Sequence, residues 1–296
     1  MSVLLSVASL VPFTGMPWGK KPPAKPEALE LTSGFLTIGG HPAWLVGFGF
    51  LCVLHVLCYC FARDCKGWKV LGPLSKDPML AAHFLPQLVA FAAAVHWGAR
   101  DWMFHMDHLS GNDIGAHVPQ GERIACLMIG FQLYELLACY FSPRLRGGIN
   151  ELVGHHVIVT LLSSLVYYLQ AFQYISPSFM GMAEISSLPL AFVDLFKQFP
   201  DMRKDFPNVN EAARNLFAVS FLALRGAYWP YCSYKFFANV FAHLEAGTIP
   251  PNVPDWALYI FCTCNILMCL LQWYWSSIIL KAIYYKAIGD PRNKDA

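Results

Sequence analysis

Charge is what this chain has least of. Asp, Glu, Lys and Arg make up 14% of its 296 residues, where a soluble domain carries about 25%. That is too little polar surface to coat a water-borne globule. The formal net charge of +2 comes with no basic patch, which excludes nucleic acid as a partner. Paired CxxC motifs are missing too, so the ten cysteines indicate neither a metal site nor a disulfide framework. Most of them lie inside apolar runs and read as buried thiols; Cys65 alone falls clearly in a loop. The opening MSVLLSVASLVPF lacks a basic start and carries Pro12. It is a poor signal peptide and reads better as an interfacial segment.

What the chain has in excess is hydrophobic sequence, at 56%. Since ~20 apolar residues cross a bilayer, the recurring runs read as spans at about Trp44–Ala62, Leu80–Trp97, Arg123–Phe141, Leu152–Ala171, Ile175–Phe196, Arg214–Ala238 and Trp256–Tyr285. These runs are apolar nearly all round, unlike the striped helices of a soluble protein. The expected fold is an all-α, polytopic transmembrane bundle of about seven spans. Residues 1–43 form an N-terminal lumenal or peripheral segment, 44–285 the membrane domain and 286–296 a cytosolic tail.

Orientation follows from basic residues in short loops. Arg63, Lys66, Lys69 and Lys76 follow span 1; Arg144 and Arg146 follow span 3; Lys197, Arg203 and Lys204 follow span 5. The alternate loops hold only Arg100. The bias places the N-terminus in the lumen and the C-terminus in the cytosol. Lys20, Lys21 and Lys25 run against it, but they lie ~20 residues from span 1, where the rule weakens.

Ionisable residues inside spans are costly and mark function by default. At 1.5 Å per residue, His155 and His156 lie roughly 5–6 Å from the cytosolic end of span 4, and Glu135 on span 3 ~9 Å from the same face. A carboxylate at that depth can fix the tautomer of one ring. Glu184 and Arg225 both fall roughly 16–18 Å deep, which suggests an ion pair on consecutive spans. His156, Thr160, Ser163 and Tyr167 form a polar stripe running from the histidines toward that pair. The arrangement predicts a polar cavity open to the cytosol, with His156 heading its wall. His55, His83 and His96 stand alone and receive no chemistry, and Tyr134, Tyr167, Tyr168, Trp229 and Trp273 read as packing or interface residues.

The histidine pair opening span 4, YELL in span 3, AEISSLPLAF in span 5 and LRGAYWPY in span 6 together resemble the TLC domain, over roughly residues 44–285. That domain is shared by ceramide synthases, translocon-associated TRAM proteins and a neuronal ceroid lipofuscinosis protein. The resemblance implies an endoplasmic reticulum membrane protein of lipid metabolism. It implies acyl transfer from acyl-CoA, with His155 and His156 in the catalytic centre and no bound cofactor. An imidazole can serve there as base or acyl acceptor. Glu135 would support the rings, while Glu184, Arg225, Thr160 and Ser163 would hold the substrate. In the synthases the long motif continues with a His-Asp pair and a further Asp. Here the stretch reads Met182-Ala183-Glu184-Ile185-Ser186-Ser187. That departure resembles the smaller TLC-domain proteins linked to membrane lipid composition, and it favours the alternative of a non-catalytic protein that binds lipid and regulates lipid homeostasis. Membrane lipids and fatty acyl chains are the expected partners, with a second copy of the chain a further candidate. A receptor is disfavoured: span 3 does not end in Asp-Arg-Tyr and span 7 lacks Asn-Pro-x-x-Tyr.

Overall fold

Backbone amides in hydrocarbon have no water to bond, so each segment must satisfy its own, which the helix does. A computed structural model describes residues 36–104, 113–146 and 150–288, and these are helical apart from one hairpin and short connections. The opening segment with Lys20, Lys21 and Lys25, the turns Ser110-Gly111-Asn112 and Gly147-Gly148, and the tail from residue 289 lie outside the described residues. The hairpin pairs β1 (Thr37–Ile38) with β2 (His41–Pro42) across Gly39 and Gly40, whose φ angles of +58° and +79° suit glycine. The helices are α1 (Ala43–Asp64), α2 (Pro78–Ala82), α3 (Phe84–Phe104), α4 (Pro119–Phe141), α5 (Asn150–Tyr168), α6 (Ser187–Gln198), α7 (Pro200–Asp205), α8 (Pro207–Phe221), α9 (Trp229–Ala246) and α10 (Asp255–Ile288).

Among the described residues, five helical segments are long and apolar enough to cross a membrane: Ala43–Asp64, Pro78–Trp102, Pro119–Phe141, Gln173–Gln198 and Asp255–Ile288. Leu152–Tyr168 is apolar but shorter. Their outer faces suit lipid and not water: Phe50, Val53, Val56 and Leu57 on α1 are each more than half exposed, as are Tyr259, Leu270 and Trp273 on α10. The chain is an integral membrane protein with an all-α fold.

Three of the expected spans depart from a plain α-helix, and a proline follows each departure. The second is broken at His83, between α2 and α3. The fifth unwinds through a 3-10 turn (Gln173–Ile175), a π-turn (Pro177–Gly181) and another 3-10 turn (Met182–Ile185) before α6 begins. The sixth is opened by a π-turn at Leu222–Tyr228 between α8 and α9. A proline ring clashes with the carbonyl four residues before it and brings no N–H. Pro86 therefore disturbs the turn at Ala82, Pro189 the turn at Ile185 and Pro230 the turn at Gly226. The turns before Pro189 and Pro230 each hold one charged residue, Glu184 in Met182–Ile185 and Arg225 in Leu222–Tyr228.

α4 lies at the centre, packed by α1, α3 and α5. Small residues let the backbones meet, as is usual between helices in lipid. A Cβ on Gly130 of α4 would sit 2.6 Å from the Trp44 carbonyl of α1, and one on Gly98 of α3 would sit 2.6 Å from the Gly181 Cα. Cys65, expected in a loop, closes α1 and is buried.

The loops gather at two ends. At one end Lys76 binds Asp201 at 2.5 Å and Arg144 binds Asp77 at 2.8 Å, joining the connections after α1, α4 and α6. There the Lys76 ammonium holds the Asp201 carboxyl below the usual carboxylate range, and Lys286 does the same for Glu211. Exposed pairs of this kind contribute little stability; they mark which loops are neighbours. At the other end Phe172 N–H donates to the Ile114 carbonyl at 2.8 Å, and Val118 N–H to Gln173 Oε1 at 2.8 Å. Asn252 bonds the Leu169 carbonyl there as well.

The backbone contact at Gly130 sets a test of the packing. Gly130→Val forces Trp44 and α1 outward, a strain of about 1–3 kcal/mol. The expected result is a lower unfolding temperature of the detergent-solubilised protein, with Gly154→Val as the control because nothing lies near its Cβ position. Equal melting of the two variants would refute the contact.

Candidate functional site

A guanidinium in the middle of an apolar bundle must find every partner inside the protein. Arg225, 5% exposed, does so along one stretch of the opened fifth segment. Its Nε donates to Ser186 Oγ at 2.9 Å and to the Ala183 carbonyl at 3.3 Å, while Nη2 donates to Ser187 Oγ at 2.9 Å and Glu184 Oε1 at 3.1 Å. The 3-10 turn through Met182–Ile185 makes this set reachable, because it brings a carbonyl, a carboxylate and two hydroxyls to one side.

Next to this pair lies a cavity of about 60 Å³. Its polar end carries His155, Glu184 and Arg225; most of the rest is apolar, with Phe172, Ile175, Phe236 and Phe261 among its walls, apart from Ser176 and Asn265. α5 contributes His155, Val159, Leu162 and Val166, positions that share one helix face over ~16 Å. His155 Nδ1 makes no hydrogen bond within the protein. Its ring packs edge-on against Trp275 of α10, centroids 5.7 Å apart.

The expected stripe of His156, Thr160, Ser163 and Tyr167 falls beside this face, not on it. Thr160 Oγ1 donates to the His156 carbonyl of its own helix at 2.7 Å, Ser163 Oγ to Met180 Sδ at 3.3 Å, and Tyr167 Oη to the Leu36 carbonyl at 3.3 Å. Consecutive residues on a helix point ~100° apart, and the structure assigns the cavity to His155.

His156 turns instead into a second, buried network. Its Nδ1–H donates to Gln132 Oε1 at 2.5 Å, and its Nε2 stands 3.9 Å from Glu135 Oε2. Glu135 is held by His83, whose Nε2–H donates to both carboxylate oxygens at 2.9 and 3.0 Å. The His83 ring stacks on Tyr134, centroids 5.8 Å apart, and the Tyr134 hydroxyl shares a 2.7 Å hydrogen bond with His55 Nδ1. The reading of His55 and His83 as lone residues is thus corrected. The break between α2 and α3 aims His83 at Glu135, and no spacing in the sequence announces that contact. Tyr134, expected as packing, joins the two histidines. Among the described residues, no cluster of His, Cys, Asp or Glu could hold a metal ion.

The ion pair yields a prediction. Arg225→Leu strands the Glu184 carboxylate in the bundle, at a cost of about 3–5 kcal/mol, read as a large drop in melting temperature and folded yield. Exchanging the two charges should recover little, because Ala183, Ser186 and Ser187 all sit on the acceptor side. Wild-type melting of Arg225→Leu would show the pair to be dispensable.

No curated protein and no solved structure matches the chain. The family model of the TLC domain matches residues 86–281, about two thirds of its length, from α3 to near the end of α10. His155, His156, Glu135, Glu184 and Arg225 all lie inside the matched stretch. The chain belongs to the TLC domain family.

Proposed function

We propose that this protein takes the acyl chain of a lipid into the cavity and that His155 acts at the polar end, in acyl transfer of the ceramide-synthase type with acyl-CoA as donor. The observation that carries the reading is an unpartnered imidazole nitrogen at the polar end of a largely apolar cavity. The pocket is small, but Met128, Met180 and Met268 are among its walls, and methionine side chains rearrange readily to admit a guest. His155 would serve as base toward the acceptor's amine or hydroxyl, or as transient acyl acceptor. His156, held by Gln132 and facing the Glu135–His83 pair, would fix the ring beside it. Arg225 and Glu184 would form the polar end wall.

A second reading has an observation in its favour. Arg225 is held by four groups of the protein, Ala183, Glu184, Ser186 and Ser187, so the pair suits a rigid wall as well as a catalytic one. The cavity would then hold a lipid without transforming it, in lipid homeostasis.

The two readings separate at His155. His155→Ala should lower acyl transfer at least ~100-fold, the usual contribution of a general base, with melting close to wild type. Microsomes supplied with labelled acyl-CoA and analysed by lipidomics supply the measurement. His156→Ala should lower activity and melting together, since it breaks into the Glu135 network. A stable His155→Ala protein with undiminished turnover would sink the acyl-transfer reading, and a wild-type protein that moves no acyl group would favour lipid holding.

We further propose seven spans in the endoplasmic reticulum membrane, with the loops after α1, α4 and α6 cytosolic. The basic residues of those loops support this, as does their meeting at one end. A glycosylation acceptor inserted between Ala246 and Asp255 should be modified, and one between Gln198 and Pro207 should not. The reverse pattern would overturn the orientation.

A further inference from the structure

α10 carries Asn265, Gln272 and Ser276 at spacings of seven and four residues, which place them on one stripe of the helix. The stripe faces inward, and Gln272 is completely buried. Asn265 lines the cavity, Ser276 lies opposite Gly226 next to Arg225, and Trp275 touches the His155 ring. The row therefore runs from the cavity wall at Asn265 to the level of His155.

None of these polar atoms is matched within the protein. Asn265 Oδ1, both amide atoms of Gln272 and Ser276 Oγ make no hydrogen bond, and neither does Trp229 Nε1 on the cavity wall. Buried polar groups are normally bonded, and a bare one is costly in a bundle surrounded by lipid. Leucine would fill the place of Gln272 without that cost. Asn265 and Trp229 meet the cavity and Gln272 and Ser276 continue the row behind its wall, so the row points to an occupant that bonds it.

The chemistry of the row limits what that occupant is. Gln272 offers a donor and an acceptor, Asn265 an acceptor and Trp229 a donor. The charges at the cavity neutralise each other, because Arg225 binds Glu184 and is also bonded to Ser186, Ser187 and the Ala183 carbonyl. A phosphate entering here would lose its water and find Arg225 already committed to Glu184. A hydroxyl or carboxamide, which both donates and accepts, fits the set.

We propose that Asn265, Gln272 and Ser276, with Trp229, form the subsite for the uncharged, hydroxyl- or amide-bearing headgroup of a lipid whose chain occupies the cavity. The inference rests on the reading of the cavity as a lipid site and adds the class of lipid it selects.

The test uses the full-length protein in nanodiscs and three photoreactive, alkyne-tagged probes of equal chain length: a monoacylglycerol, an N-acylethanolamine and a lysophosphatidic acid. Cross-linked peptides are mapped by mass spectrometry. The two neutral probes should label the cavity walls, and unlabelled neutral lipid should displace them at concentrations at which lysophosphatidic acid does not. Gln272→Leu should cut neutral labelling about tenfold, the loss of one to two hydrogen bonds, and should raise the melting temperature of the lipid-free protein. Asn265→Leu should act in the same direction. Equal labelling by neutral and anionic probes, or unchanged neutral labelling in both variants, would overturn the subsite while leaving the cavity as a lipid site. Loss of melting temperature in both variants would make the row structural and also overturn it. If no probe reaches the cavity walls of the wild-type protein, the lipid cavity itself falls, and the subsite with it.

Discussion

The buried guanidinium of Arg225 constrains more of this structure than any other group. In hydrocarbon it can be neither left bare nor hydrated, so several acceptors have to converge on it from within the bundle. A regular α-helix directs its carbonyls along its own axis and cannot offer one sideways. The fifth segment meets the demand by leaving the α-helical path, and in doing so places Ala183, Glu184, Ser186 and Ser187 around one side chain. The irregular backbone at this depth is tolerated because it faces protein and a cavity, not lipid. The cavity's polar end is therefore a by-product of how the cation is housed.

The second buried network has a different character. Glu135 is the anion there, and it is met by the aromatic nitrogen of His83 instead of a permanent cation. His156, Gln132, Tyr134 and His55 extend it across α1, α4 and α5. Its members come from segments far apart in the chain, and it ties together the end of the bundle at which the basic loops gather. The histidine pair thus belongs to both halves of the protein's polar chemistry, one ring to each.

Much of this was legible in the sequence, for physical reasons. Opposite charges at matching depth could hardly avoid each other in lipid, so the Glu184–Arg225 contact followed from arithmetic on helix rise. The alternation of basic loops corresponds to the way loops meet at two ends. The side of α5 that meets the cavity was not legible. Thr160, Ser163 and Tyr167 looked like a wetted stripe, yet hydroxyls in a membrane helix readily bond the preceding turn of their own backbone, as Thr160 and Ser164 do. A polar residue is thus weaker evidence for a cavity than it is in water. The His83–Glu135 bond was hidden for another reason: it depends on a break one residue long. The row on α10, by contrast, had a readable signal. Asn265, Gln272 and Ser276 keep helical spacing within an apolar run, the same pattern that drew attention to α5.

Prolines 189 and 230 have an effect that reaches beyond their own turns. Each residue added to a helix advances its phase by ~100°, so a widened turn rotates everything after it relative to everything before. Through the turn at Leu222–Tyr228, α8 and α9 form one continuous rod with two different azimuths. The inward set on α9, which includes Trp229, Cys232, Phe236 and Asn239, takes its direction relative to α8 in part from that offset. Were the rod closed into an uninterrupted α-helix, that set would turn relative to α8, and with it Tyr231 and Tyr234, which now lie outside. Pro230 thus acts as an indexing pin: a ring that does not line the cavity helps to set which residues of the sixth segment do.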